Sequence, residues 1–144
     1  MQSYDTDVIA WANEQAAFIR AGRFDLLDLE HIADEIEDVG KSERRELRNR
    51  MAILLVHLLK WKFQPERRGH SWQRTIKTQR KELAECIADT PSLKVEVANS
   101  TWWEKVWADT LIMVTKETGL DFEIFPDECP WQYQQIVDVS FWPE

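Results

Sequence analysis

Four glycines and five prolines in 144 residues leave this chain with little punctuation. A fold of many short strands needs turn residues at regular intervals, so their scarcity excludes one. Cys86 and Cys129 are the only cysteines, stand far apart and form no C-x-x-C, which excludes a disulfide-stapled scaffold and a cysteine zinc site. Three histidines never form H-E-x-x-H, and neither a glycine-rich phosphate loop nor G-x-S-x-G is present. The common metalloprotease, nucleotide-binding and hydrolase signatures are therefore missing. The longest apolar run, "MAILLV" with "LL" beyond His57, falls far short of the roughly 20 residues that cross a bilayer. The opening "MQSYDTD" is acidic where an export signal is basic and then apolar. Together these features point to a cytoplasmic chain without a membrane segment.

What is present is charge, tryptophan and helical periodicity. The length suits a single domain spanning residues 1–144, long enough to bury a sizeable core. The net charge of -8 conceals a segregation: residues 1–40 hold 2 basic and 10 acidic residues, residues 41–81 hold 13 and 3, and residues 82–144 hold 3 and 13. The plainer reading is a basic middle that packs between acidic flanks and neutralises them; the sharper one is a basic face for an acidic partner.

Apolar spacing near 3.6 residues recurs throughout and indicates an all-α fold, a compact bundle of about five to six helices. The first helix is expected from an Asp5 cap to Ala21, burying Val8, Trp11, Ala12, Ile19 and part of Phe18, with Gly22 ending it. A second, Asp25 to Gly40, carries the stripe Leu29, Ile32, Ala33, Ile36 and Val39. Ser42 then caps a third that Pro65 ends, so helices two and three should form an antiparallel hairpin. Leu54 and Leu58 sit on a third helix apolar nearly all round, which belongs at the centre. Ser71 caps a fourth helix, with Trp72, Ile76, Leu83 and Ile87 inward. Thr90 and Pro91 open a stretch that reaches Thr118, with a break near "ANST", and Gly119 stops it. The aromatic tail reads as an irregular arm with one short helix from Pro130 to about Asp138, anchored by Phe122, Phe125, Trp131, Phe141 and Trp142.

Four groups of side chains are candidates for function. If the hairpin has the right hand, Asp28 and Glu35 meet Arg50 and His57 at a low-dielectric seam, either a polar clamp on helix register or a catalytic acid and base. His31, Asp34, Glu35 and Asp38 have spacing that could chelate a metal, but three of the four point away from the apolar stripe, so they are taken as a solvated acidic face and no metal is assigned. Arg67, Arg68, Arg74, Lys77 and Lys81 form a basic stripe; the acidic pI and the lack of a recognised binding motif argue against nucleic acid there. Trp102, Trp103 and Trp107 cannot share one direction, which leaves Trp103 as a candidate partner contact.

The segments "YDTD" with Trp11, "LEHIADEIEDVGKSERRELRNR", "LLVHLLKWKFQPE", "SWQRTIKTQRKEL", "TPSL", "ETGL", "FPDECPW" and "FWPE" together resemble a bacterial family catalogued as domain of unknown function 29. The resemblance spans nearly the whole chain and implies an all-helical, soluble bacterial protein. It supplies no catalytic residue, cofactor or partner. Asp28, Glu35, His57, Lys60, Trp61, Trp72 and Arg80 match its pattern. The expected role is a non-catalytic interaction or regulatory module with a protein partner and no cofactor. The alternatives are a small enzyme or metal protein built on the Asp28, Glu35, Arg50 and His57 seam, and nucleic-acid binding by the basic stripe.

Overall fold

The computed structural model describes residues 2–144. The regular structure among them is all α, as the periodicity requires: α1 (Val8–Arg20), α2 (Leu29–Phe63), α3 (His70–Asp89), α4 (Lys94–Val97), α5 (Ser100–Thr118) and α6 (Tyr133–Val137), with short 3-10 turns between them. The chain divides into two compact units, Met1–Glu43 and Arg44–Glu144, and α2 contributes residues to both.

The expected hairpin at Gly40 and Ser42 does not form, because α2 runs unbroken through both residues for 35 residues. Gly40 costs a helix only about 1 kcal/mol relative to alanine. It is not among the glycines with positive φ, no proline follows it nearby, and the Asp38–Lys41 ion pair at 3.6 Å spans it on the helix surface. Glycine without a left-handed turn is a weak stop, and the helix-forming residues on either side override it.

In the first unit, α1 is capped by Asp7 rather than Asp5; the Asp7 carboxylate accepts from the Ala10 amide at 3.0 Å. Its buried face is Trp11 and Gln15, one turn apart, while Val8 and Ile19 are exposed. Gly22 closes the helix at φ +73, and the Arg23 amide reaches back to the Phe18 carbonyl at 2.8 Å. A 3-10 turn at Phe24–Leu26 follows where the start of a helix was expected, and α2 begins later, with Asp28 before its first residue. The apolar stripe expected of this segment is uncovered: Leu29 and Val39 are exposed, and Ile36 retains 68% of its surface.

In the second unit, the apolar residues of α2 form the centre as expected, with Leu54 and Leu58 wholly buried. Arg50 approaches Glu82 at 3.9 Å, while Lys60 lies over the Trp72 ring at 5.9 Å, so α3 runs antiparallel to α2. The antiparallel partner of α2 is therefore α3, reached through Gln64–Gly69, and not a segment before Gly40. Helix α5 runs parallel to α2, since Arg48 pairs with Asp109 at 3.6 Å and Lys60 with Glu117 at 3.2 Å. The break expected near "ANST" is real: the Asn99 side chain accepts from the Thr101 and Trp102 amides at 2.8 and 3.2 Å and caps α5. Gly119, at φ +71, ends it. The cap of α3 is Gly69 rather than Ser71.

The remaining arm contains α6 and is fastened by two arginines. Buried Arg80 donates from Nε to the Ile136 carbonyl at 2.7 Å and from Nη2 to the Phe141 carbonyl at 2.6 Å. Arg68 donates to the Trp61 carbonyl at 2.7 Å and reaches the Pro143 carbonyl at 3.4 Å. Trp61 and Trp142 pack with ring centroids 4.7 Å apart, and Phe125 is buried against Phe63. Phe122, expected as an anchor, is instead 54% exposed.

Candidate functional site

A groove of about 1160 Å³ opens in the second unit between α5 and the arm. One wall comes from α5 through Trp103, Trp107, Leu111 and Ile112; the other comes from the arm through Phe122, Cys129, Trp131 and Tyr133. The aromatic groups are held by their own polar ends. Trp103 Nε1 donates to the Val97 carbonyl at 2.8 Å and Trp107 Nε1 to the Pro126 carbonyl at 3.0 Å. With its indole N–H engaged, half-buried Trp103 has apolar ring surface left to offer, while buried Trp107 forms the floor behind it. Ile112 is 65% exposed, so the groove is open to water.

Its rim carries Glu104, Asp127 and Glu128, and no lysine or arginine lines it. None of the three carboxylates forms an ion pair among the described residues. Burial pushes the Cys129 thiol and the Tyr133 phenol above their ordinary values, which keeps both protonated near neutrality. No histidine lines the groove. The groove thus presents apolar surface beside carboxylates that have no ion-pair partner among the described residues.

A second constellation lies wholly within the first unit. Asp28 stands at the N-terminus of α2, and its Oδ2 accepts from Trp11 Nε1 at 3.0 Å and meets His31 Nδ1 at 2.7 Å. The Asp28 amide donates to Gln15 Oε1 at 2.8 Å, and its Oδ1 lies 3.4 Å from the His31 amide. The Tyr4 ring stacks on the His31 imidazole at 4.1 Å, and the Tyr4 hydroxyl donates to Glu35 at 2.6 Å. That bond to a carboxylate pushes the Tyr4 phenol up to about 12. The hydrogen bond that His31 donates to the Asp28 carboxylate raises His31 above its ordinary value, and the same bond lowers Asp28. The Asp28 carboxylate is shared among donors that fasten Tyr4, α1 and α2 to one another. This is the arrangement of an anchor.

A family profile described as Domain of unknown function DUF29 matches residues 3–142. The chain belongs to this family. No significant match exists among curated proteins or among solved structures.

In this DUF29 chain the four seam candidates hold separate partners. Asp28 and Glu35 serve the first unit as described. Arg50 in the second unit bonds Glu46 at 3.0 and 3.1 Å and approaches Glu82, a surface cluster. His57 donates from Nδ1 to the Ile53 carbonyl of its own helix at 2.8 Å, which leaves Nε2 as the acceptor of the neutral ring. Burial, with Lys60 adding to it, holds His57 below its ordinary value. His57 is half-buried and does not line the groove. The turn that was to join the two pairs is absent, since residues 40–42 are helical.

Of the basic stripe, Arg68 is occupied by carbonyls of Trp61 and Pro143, and Lys81 lies 4.0 Å from Glu85. Arg67, Arg74 and Lys77 are exposed. Trp103 is half-buried in the groove wall. The residues that sequence reasoning missed are Tyr4, Trp11 and Gln15 around Asp28, with His31 assigned to a solvated face. Asp28 preceding an apolar-periodic run was a cap signal, but placing the helix start at Asp25 hid it. No group of three His, Cys, Asp or Glu side chains among the described residues converges in a way that would hold a metal ion.

Proposed function

We propose that the chain is a protein-interaction module whose docking surface is the groove between α5 and the arm. The observation that carries this reading is the coexistence of exposed Ile112 and Phe122, aromatic side chains on both walls and three carboxylates without an ion-pair partner among the described residues. Exposed apolar surface rimmed by polar groups is what an interface core requires before its partner arrives. Tryptophan and tyrosine contribute large rigid contact areas there at little entropic cost.

The test is a photo-crosslinking residue placed at Ile112, on the exposed edge, and a second at exposed Glu85 on α3, outside the groove. A defined adduct from position 112 that is lost on Ile112-neighbouring changes such as Phe122→Glu, and absent from position 85, supports the reading. Equal labelling from both positions, or none from 112 in lysate that contains the chain's native partners, removes it.

A further inference from the structure

The groove also specifies what kind of segment it would take. Its volume of about 1160 Å³ lies at the upper limit of small-ligand pockets, roughly 300–1,000 Å³, and it is open along the side where Ile112 is 65% exposed, which gives a ligand larger than a small molecule room to extend. Its chemistry narrows the choice. A strand adding to a sheet edge needs an edge, and no strand exists among the described residues. A proline-rich segment leaves its carbonyls unpaired and depends on donors such as indole N–H groups from the groove. Here the N–H groups of Trp103 and Trp107 are already spent on Val97 and Pro126, which leaves few donors, the Trp131 indole and the Tyr133 hydroxyl, to serve a whole row of carbonyls. A helix satisfies its own backbone and asks the walls only for apolar contact. The free carboxylates of Glu104, Asp127 and Glu128 then demand cations on that helix, and aromatic ring faces accept cations as well.

We infer that the groove is the receptor for a basic amphipathic helix of a partner protein, its apolar face against Trp103, Ile112, Phe122 and Trp131 and its lysines or arginines opposite Glu104, Asp127 and Glu128. The inference rests on the interaction-module reading and adds the conformation and charge of the ligand.

Three synthetic peptides test it on the full chain: a Leu/Lys amphipathic helix of about 18 residues, its Leu/Glu counterpart, and the Leu/Lys composition broken by prolines. Binding is read by titration calorimetry and by peptide circular dichroism. The intact Leu/Lys helix should bind and gain helicity, and the other two should bind at least about tenfold more weakly. Ile112→Glu should weaken the Leu/Lys peptide about tenfold, although it adds negative charge that would strengthen unspecific attraction. Glu104→Lys should weaken it similarly and flatten its salt dependence. Both residues reach the surface, and retained circular dichroism of the variants confirms their folding. Equal binding of the acidic or proline-broken peptide overturns the inference, as does indifference to Ile112→Glu. If position 112 crosslinks to a partner while the Leu/Lys helix fails to bind, the helical, basic ligand is wrong and the docking surface stands. If neither occurs, both readings fall.

Discussion

Arg80 and Ile136 are tied across 56 residues of chain by a hydrogen bond of 2.7 Å from the guanidinium Nε to the carbonyl, at a position where Arg80 is only 3% exposed. The same guanidinium reaches Phe141 and lies 5.4 Å from the centre of the Trp142 ring. One charged side chain thus supplies the donors for two turns of an otherwise irregular arm. Arg80→Met leaves those carbonyls without donors and should cost about 2 kcal/mol. Arg80→Lys should recover only part of this, because a compact ammonium places all its donors on one nitrogen and does not reproduce the spaced Nε and Nη2 that reach the two carbonyls. Urea midpoints give the cost, and limited proteolysis should show cleavage moving into residues 120–144.

The Asp28–His31 pair sets a pH window for the first unit. His31 is raised above 6.5 by its bond to Asp28, so its contribution is full below that value and disappears as pH rises through the folded value. Asp28 is lowered below 3.8 by the same bond, so its contribution is full above that value and disappears as pH falls through the folded one. The first unit should be firmest between these limits. Asp28→Asn retains a good helix cap while removing the charge. The nuclear magnetic resonance titration of the His31 ring should then fall to the ordinary value or lower; an unmoved midpoint would assign the shift to something else.

His57 should behave in the opposite sense. Burial holds its folded value below 6.5, so it contributes nothing above that pH, and acid weakens the second unit as the unfolded chain takes up the proton first. One such group changes stability by at most about 1.4 kcal/mol per pH unit. His57→Gln should flatten the slope of urea stability below about pH 6.5 without moving the His31 titration.

Two glycines should respond to alanine with opposite signs. Gly40→Ala, inside a continuous helix, should stabilise by about 1 kcal/mol. Gly119→Ala forces a side chain into a left-handed residue at φ +71 and should destabilise by about 1 kcal/mol, although nothing lies within 4 Å of the added methyl. Thermal melts of both variants decide the matter. A loss at Gly40 would mean that α2 turns there after all.

Burial, rather than residue type, should rank the apolar positions of α2. Ile36→Glu lies on the uncovered stripe and should change stability by no more than about 0.5 kcal/mol. Leu54→Ala removes wholly buried groups and should cost about 2–5 kcal/mol. Chemical denaturation of the two variants tests the exposed stripe directly.

Local signals that need only neighbours in sequence were legible. Gly22 and Gly119 end helices because a left-handed residue strongly favours glycine, and the break before α5 shows in the weak helix formers of "ANST", although the Asn99 cap itself emerges only in the structure. The all-round apolar run from Met51 to Leu59 is central because such a surface has nowhere else to go. Gly40 misled for the same kind of reason. Its presence signals a stop only when the backbone turns left-handed, and that choice depends on the energy of everything on either side. Among the candidate residues, Trp103 was singled out by a simple angular argument, whereas Gln15 gave no apolar signal and Tyr4 sat in a polar segment with no helix to assign it to.

The amino-acid sequence by itself determined the helical class, the glycine stops at Gly22 and Gly119 and the character of the core, since periodicity, left-handed glycine and side-chain volume act within a few residues. Only the tertiary structure decided that Asp28 serves Trp11 and His31, that Arg80 holds Ile136, and that Glu104, Asp127 and Glu128 on the groove rim form no ion pair among the described residues. Those relations join residues from different elements, and the free energy that selects them belongs to packing and desolvation, which no local spacing records.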